Sequence, residues 1–134
     1  MTDTNNTKPP AFIFGARPKT VEAHVTFKSV TGAEVDIPCQ FRYRTRKEFA
    51  QLWDKLAEPM QSDRAKTEDF SFSSLADKGL RINAERTLEY LTGWPLDLEL
   101  NADNVIRMFD EEPAASEAFW NAYRGACTEG RLGN

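Results

Sequence analysis

Hydrophobic and polar positions alternate strictly along the first part of the chain. Over residues 21–27 and again over residues 35–43, every second residue is apolar. This period of two predicts strands with one buried face, and Gly32 between the runs suits a turn with positive φ. The pattern predicts an antiparallel β-hairpin over about residues 21–44. Because Pro38 has no N–H, the second strand is predicted to lie at a sheet edge or to carry a bulge there.

Beyond the hairpin, apolar residues recur at intervals of three and four, which is the spacing of amphipathic helices. The pattern predicts four helices, over about residues 46–58, 73–92, 102–110 and 113–127. Together these elements predict an α+β fold in which the hairpin packs on a small helical layer. Residues 1–19 are predicted to be a flexible N-terminal arm, and residues 20–134 a single domain.

Capping residues indicate where these helices begin. Thr45 and Glu48 match a capping box, in which each side chain accepts a hydrogen bond from the backbone amide of the other residue. Asn101 can cap the third helix, and Pro113 suits the first position of the fourth. The acidic residues 110–112 are expected to stabilise the start of that last helix through its dipole rather than to act as catalytic carboxylates.

Proline and glycine indicate where helices end. Pro59 is predicted to end the first helix, and Gly93 is predicted to end the second in the left-handed conformation. Between them, residues 60–71 are polar and mixed in charge, which predicts a surface loop. Ser74 or Asp77 then begins the second helix.

The charge balance narrows the classes of partner. The 134 residues carry a net charge of −4, and the sequence pI is about 5.1. Binding to phosphate backbones depends on clustered Lys and Arg, so nucleic acid is not expected as a partner. The N-terminus lacks the apolar run of a secretory signal, and no stretch approaches the about 20 apolar residues that cross a membrane. We therefore expect a soluble cytoplasmic protein that does not bind membranes.

The sequence contains no recognisable pattern of catalytic or ligand-binding residues. His24, the single histidine, lies on the polar face of the first predicted strand without a paired nucleophile. Cys39 and Cys127 form no CxxC pair and are expected to be free thiols. The glycines are scattered, whereas a phosphate-binding loop requires a cluster. We therefore expect no enzyme activity, no metal and no cofactor.

The last predicted helix offers one candidate surface for binding another protein. Trp120 is flanked by Phe119 and Tyr123, and one inward face of a regular helix cannot bury all three rings. Aromatic residues, tryptophan above all, are enriched among the residues that dominate binding energy at interfaces. The hypothesis is that these three residues contribute to a partner-binding or self-association surface.

A basic cluster at the end of the hairpin offers a second candidate. Arg42, Arg44 and Arg46 share the polar face and approach the N-terminus of the first helix. Cations are unfavourable there, so an acidic partner could use them. The alternative is that they form an ordinary solvated polar face.

Three features, in this order, resemble the tail assembly chaperones of long-tailed bacteriophages and prophages. They are residues 41–46 leading into a helix, Gly93 and Trp94 after the central helix, and the closing helix over residues 113–123. The resemblance spans residues 21–134. It implies a non-enzymatic protein of the bacterial host cytoplasm that binds the long, helical, aggregation-prone tape measure protein. It also implies that the major tail tube protein assembles around that client.

Two alternatives to this interpretation remain open. One is another small phage or prophage protein-binding module, such as a regulator or an inhibitor of a host protein. The other is a small enzyme whose site carries no recognisable motif.

Overall fold

A computed structural model describes residues 12–64 and 71–130, and it confirms the predicted α+β class. Within these residues, one three-stranded antiparallel sheet is combined with four helices. In chain order the elements are β1 (Thr20–Lys28), β2 (Glu34–Arg42), α1 (Arg46–Arg64), α2 (Phe72–Leu88), β3 (Leu91–Gly93), α3 (Ala102–Glu111) and α4 (Ala115–Glu129).

The hairpin forms as the alternation of the sequence predicts. β1 and β2 pair antiparallel, from Thr20 opposite Arg42 to Lys28 opposite Glu34. Gly32 lies in the turn between them with a φ of 89°, a conformation that side chains with a Cβ rarely adopt. The buried side chains of the pair are those of Ala23, Val25, Ile37, Cys39 and Phe41.

β2 is the central strand of the sheet, so the edge position predicted from Pro38 is wrong. Among the described residues, β3 pairs only with Gln40 and Phe41, and the irregularity lies between those two residues. The missing N–H of Pro38 therefore disturbs no pairing with β3. The prediction for Gly93 is also wrong, because α2 ends at Leu88 and Gly93 belongs to β3.

Side-chain caps begin the first three helices. Thr45 N–H donates to Glu48 Oε1 over 2.9 Å, and Glu48 N–H donates to Thr45 Oγ1 over 3.1 Å, so the capping box is present. The Ser71 and Asn101 side chains each accept from the amide three residues later, over 3.1 and 2.9 Å. α2 thus begins one residue before the predicted start at about residue 73, and its cap is Ser71 rather than Ser74 or Asp77.

The prediction that α1 ends at Pro59 is wrong, because the helix continues to Arg64. A proline inside a helix removes one backbone hydrogen bond and costs about 3 kcal/mol. In the preceding turn Arg86 Nη2 donates to the Leu56 carbonyl over 3.1 Å, so α2 supplies a donor to this part of α1. The loop predicted over residues 60–71 is therefore wrong at its start, and residues 65–70 lie outside the described ranges.

The link between α3 and α4 differs from the prediction. α4 begins after a turn that contains Pro113, so this proline is not its first helical residue. The acidic residues 110–112 accordingly end α3 rather than begin α4. The Glu112 carboxylate accepts hydrogen bonds from the Ser29 hydroxyl over 2.9 Å and from the Val30 amide over 3.0 Å. It fixes the hairpin turn to the α3–α4 link.

α4 packs on the sheet and closes the core. The Tyr123 ring stacks on that of Tyr90 with centroids 4.5 Å apart, and lies 5.6 Å from the Phe41 ring. Each such aromatic pair contributes about 0.5–1.5 kcal/mol beyond the area it buries. Cys39 lies in the same core as a free thiol, and burial raises its pKa to about 12.

The described part of the predicted arm leads into the sheet. The Lys19 carbonyl accepts from the Tyr43 amide over 2.9 Å, which holds the end of the arm against the exit of β2. Upstream, Phe12, Ile13 and Phe14 are exposed. Residues 1–11 of the arm lie outside the described residues.

Candidate functional site

Aromatic rings gather around Trp120 where α1, α4 and the end of α2 meet. The Trp120 centroid lies 5.3 Å from that of Phe49, 5.5 Å from Trp53 and 5.7 Å from Tyr90. Trp120 is half-buried, and Trp53 is 50% exposed. On α1, Phe49 and Leu52 face the core, which leaves Trp53 at the edge of the apolar stripe.

Phe119 and Tyr123 do not accompany Trp120 to the surface. Both side chains are fully buried, where the sequence hypothesis had placed them on a binding surface. Tyr123 packs against the sheet, and the Phe119 ring lies 5.8 Å from that of Phe109 in α3. Of the three aromatic rings proposed on α4, only that of Trp120 is therefore accessible to a partner.

A cavity of about 400 Å³ opens beside the two tryptophans, between α1, α2 and α4. We name it the aromatic pocket, and its walls include Trp53, Leu56, Arg86, Tyr90, Glu117 and Trp120. Its walls combine indole and aliphatic surface with one cation and one carboxylate. Such a concave, mostly apolar wall with few polar groups is typical of a site that receives a side chain from a partner.

Arg86 gives the aromatic pocket a polar group in a fixed position. Its Nη2 is engaged by the Leu56 carbonyl, which anchors the guanidinium between α1 and α2. Its Nε is buried, and it is the one buried side-chain polar atom of the described residues without a hydrogen-bond partner. A buried donor without a partner costs about 1–3 kcal/mol, so this arginine is held beside the pocket at some cost to stability.

Arg44 has a structural role rather than a place on a solvated face. Its Nη1 donates to the Tyr123 hydroxyl over 2.9 Å, and Nη1 and Nη2 both donate to the Glu89 carbonyl over 3.3 Å. The Tyr123 hydroxyl in turn donates to the Arg42 carbonyl over 3.0 Å. Burial raises the pKa of Tyr123, so its hydroxyl keeps the proton that this network uses. Arg44 thus ties α4 to the exit of β2.

A second depression, of about 730 Å³, lies between the end of the arm, the exit of β2 and α1. We name it the basic groove, and its charged lining residues are Arg17, Lys19, Arg42, Arg44, Glu48 and Lys55. Arg46, one of the three arginines proposed from sequence, is exposed and does not line it. The fold therefore brings two of those three arginines together with cations from the arm and from α1.

Most of these additional residues carry no local signal in the sequence. Lys55 joins the groove because it lies one helical turn after Gln51 on the same flank of α1. Arg17 and Lys19 join it because the Lys19 carbonyl pairs with Tyr43. The sequence shows Arg17 and Lys19 on either side of Pro18, but it does not show which residues lie beside them in the fold.

Among the described residues, the remaining polar side chains do not gather into a metal site. Within residues 12–64 and 71–130, no three His, Cys, Asp or Glu side chains converge to hold a metal ion. His24 Nδ1 lies 2.6 Å from Asp36 Oδ1 on the outward face of the hairpin. In the same ranges, no helix is long and apolar enough to cross a membrane.

Comparison with known proteins gives one family match. Residues 10–134 match the sequence model of a family described as phage tail assembly chaperone. No curated protein and no solved structure matches the chain. The family match covers nearly the whole sequence and includes both the aromatic pocket and the basic groove. The chain therefore belongs to the phage tail assembly chaperone family.

Proposed function

We propose that this protein binds the tape measure protein of a phage tail through the aromatic pocket, without catalysing a reaction. Membership of the family gives it a role in tail assembly. The observation that carries the finer proposal is the pair Trp53 and Trp120, which line an open cavity instead of closing the core. The site of action is the cytoplasm of the bacterial host, where tail proteins are made before they assemble.

The pocket suits a helical, apolar client. An amphipathic helix presents apolar side chains at intervals of three and four residues, and a groove between helices receives them one turn at a time. A volume of about 400 Å³ is enough for more than one such side chain. Tryptophan side chains at the centre of an interface typically contribute about 2 kcal/mol or more to binding.

The test is co-expression of the full chain with the tape measure protein of the same phage. We expect the unmodified chain to keep that client in the soluble fraction and to co-purify with it. Trp53→Ala and Trp120→Ala are each expected to weaken binding about 30-fold or more, the equivalent of about 2 kcal/mol. Isothermal titration calorimetry with a soluble helical fragment of the client gives the affinities.

Leu75→Ala is the matched control, because Leu75 is an exposed apolar residue of α2 that does not line the pocket. It should leave the affinity unchanged. Thermal unfolding of every variant separates lost binding from lost folding. Client binding that survives Trp53→Ala and Trp120→Ala in folded protein would contradict the assignment of the pocket. Capture of the tail tube protein, or of a host protein, in place of the tape measure protein would contradict the proposed client.

A further inference from the structure

The basic groove concentrates positive charge on a protein that is negative as a whole. Its lining contains five cationic side chains and one carboxylate, whereas the complete chain has a net charge of −4. The five cations come from three separate parts of the fold, which are the arm, the exit of β2 and α1. Like charges brought together in a concave surface repel one another and focus a positive potential there.

Ion pairs within the fold neutralise only part of this charge. Arg17 Nη1 lies 3.9 Å from Glu48 Oε1, and Lys55 Nζ lies 3.1 Å from Glu89 Oε1. The Thr45 amide also donates to the Glu48 carboxylate and, as the main cause, holds its pKa below the ordinary value, so this single acid of the groove remains charged.

Two cations of the groove are left for another molecule. Among the residues that the structure describes, the exposed Lys19 and Arg42 side chains have no ion-pair partner. Arg44, by contrast, donates through Nη1 and Nη2 to the Tyr123 hydroxyl and the Glu89 carbonyl. It therefore adds positive charge to the groove, but these two nitrogen atoms are already engaged within the fold. The recognition elements are therefore Lys19 and Arg42.

We infer that the basic groove binds an acidic segment of another polypeptide, with Lys19 and Arg42 as the residues that recognise its carboxylates. Opposite charges across an interface attract the partner during encounter and fix its register. A short acidic segment fills the groove without extending over the surrounding surface. A nucleic acid strand continues beyond the groove, where the negative charge of the rest of the chain opposes it.

This inference does not depend on the aromatic pocket. The two sites lie on opposite flanks of α1 and share no lining residue. A segment bound in the basic groove therefore leaves the aromatic pocket open. Binding to the two sites can be measured and lost separately.

The experiment measures fluorescence anisotropy of a short fluorescein-labelled peptide rich in Glu and Asp, titrated with the full chain at low salt. Its counterpart carries Gln and Asn at the same positions. We expect the acidic peptide alone to bind, and its affinity to fall as salt is added. The double variant Lys19→Gln with Arg42→Gln should bind it about tenfold more weakly, because exposed ion pairs contribute up to about 1 kcal/mol each.

The control is Lys78→Gln with Arg81→Gln, which removes the same charge from exposed positions of α2 outside the groove. It should retain the affinity of the unmodified chain. In the unmodified protein, the NMR chemical shifts of the backbone amides should change at groove residues when the acidic peptide is added. This titration checks the site without any substitution.

Three outcomes would overturn the inference. The neutral peptide could bind as tightly as the acidic one, which would exclude recognition of carboxylates. The control could lose as much affinity as the groove variant, which would assign the effect to net charge. A single-stranded DNA oligonucleotide could bind at least as tightly as the acidic peptide and be lost in the same groove variant, which would assign the groove to nucleic acid.

Discussion

Two aromatic pairs, each with one member on α4, differ in how far they are exposed. Tyr90 and Tyr123 stack in the core and are at most 2% exposed. Trp53 and Trp120 meet edge to face beside an open cavity, and Trp53 is 50% exposed. The tyrosine pair therefore belongs to the interior, and the tryptophan pair belongs to a surface.

Hydrogen bonding separates the pairs as clearly as burial does. The Tyr123 hydroxyl both accepts from Arg44 and donates to the Arg42 carbonyl. Neither indole N–H of Trp53 or Trp120 donates to another residue within the described ranges. The comparison teaches that a ring buried in the core, that of Tyr123, and a ring beside an open cavity, that of Trp120, lie one helical turn apart on α4.

Replacing Tyr123, the buried aromatic residue of α4 that stacks on Tyr90, should have the largest effect on stability. Tyr123→Ala removes the ring that stacks on Tyr90 and contacts Phe41, and it deprives Arg44 Nη1 of one of its two acceptors. We expect the free energy of unfolding to fall by about 3–5 kcal/mol, as for other large core residues cut to alanine. Urea denaturation measures it. A loss below about 1 kcal/mol would mean that Tyr123 does not close the core.

Alkaline pH should lower the free energy of unfolding by less than Tyr123→Ala does and by more than Trp53→Ala does. Burial raises the pKa of Cys39 and that of Tyr90 each to about 12, and raises the pKa of Tyr123 as well. The unfolded chain loses these protons first, so the stability is complete below about pH 9 and falls as pH rises toward about 12. Urea midpoints at neutral and alkaline pH measure the fall. Tyr123→Phe should lose less between the two, and a stability independent of pH would contradict the prediction.

Replacing Trp53, the more exposed of the two tryptophans, should change stability least. Trp53→Ala removes a ring that is half in solvent and packs on only one side. We expect the free energy of unfolding to change by no more than about 1 kcal/mol, while client binding falls as described above. The same denaturation series shows the difference from Tyr123→Ala. Equal losses of stability in the two variants would erase the distinction between the pairs.

The elements of the fold were predictable where their pattern is local. Alternation gave the hairpin, and side-chain caps at Thr45 and Asn101 gave two helix starts. β3 was missed because three residues carry no period, and the strand exists only through its pairing with Gln40 and Phe41. The continuation of α1 through Pro59 was not predicted, because a proline in a local sequence pattern normally indicates the end of a helix.

The candidate site was predictable only in part, because it depends on which flank of a helix faces the core. The three rings of α4 share one stretch of sequence, yet only Trp120 reaches the surface. Trp53 has the same spacing to Phe49 as a core residue would, and burial is decided by a few tens of degrees around the helix axis. The basic groove joins residues from three elements, and no spacing in the sequence relates Lys19 to Lys55.

The long sequence separation of the closing contacts has a consequence for synthesis on the ribosome. The Ser29 to Glu112 hydrogen bond joins positions 83 residues apart, and the Tyr123 to Arg42 bond joins positions 81 apart. The hairpin is translated before α4, and its apolar face stays uncovered until α4 has left the exit tunnel. A growing chain of this protein must therefore delay completion of its interior until Tyr123 has been added and has emerged.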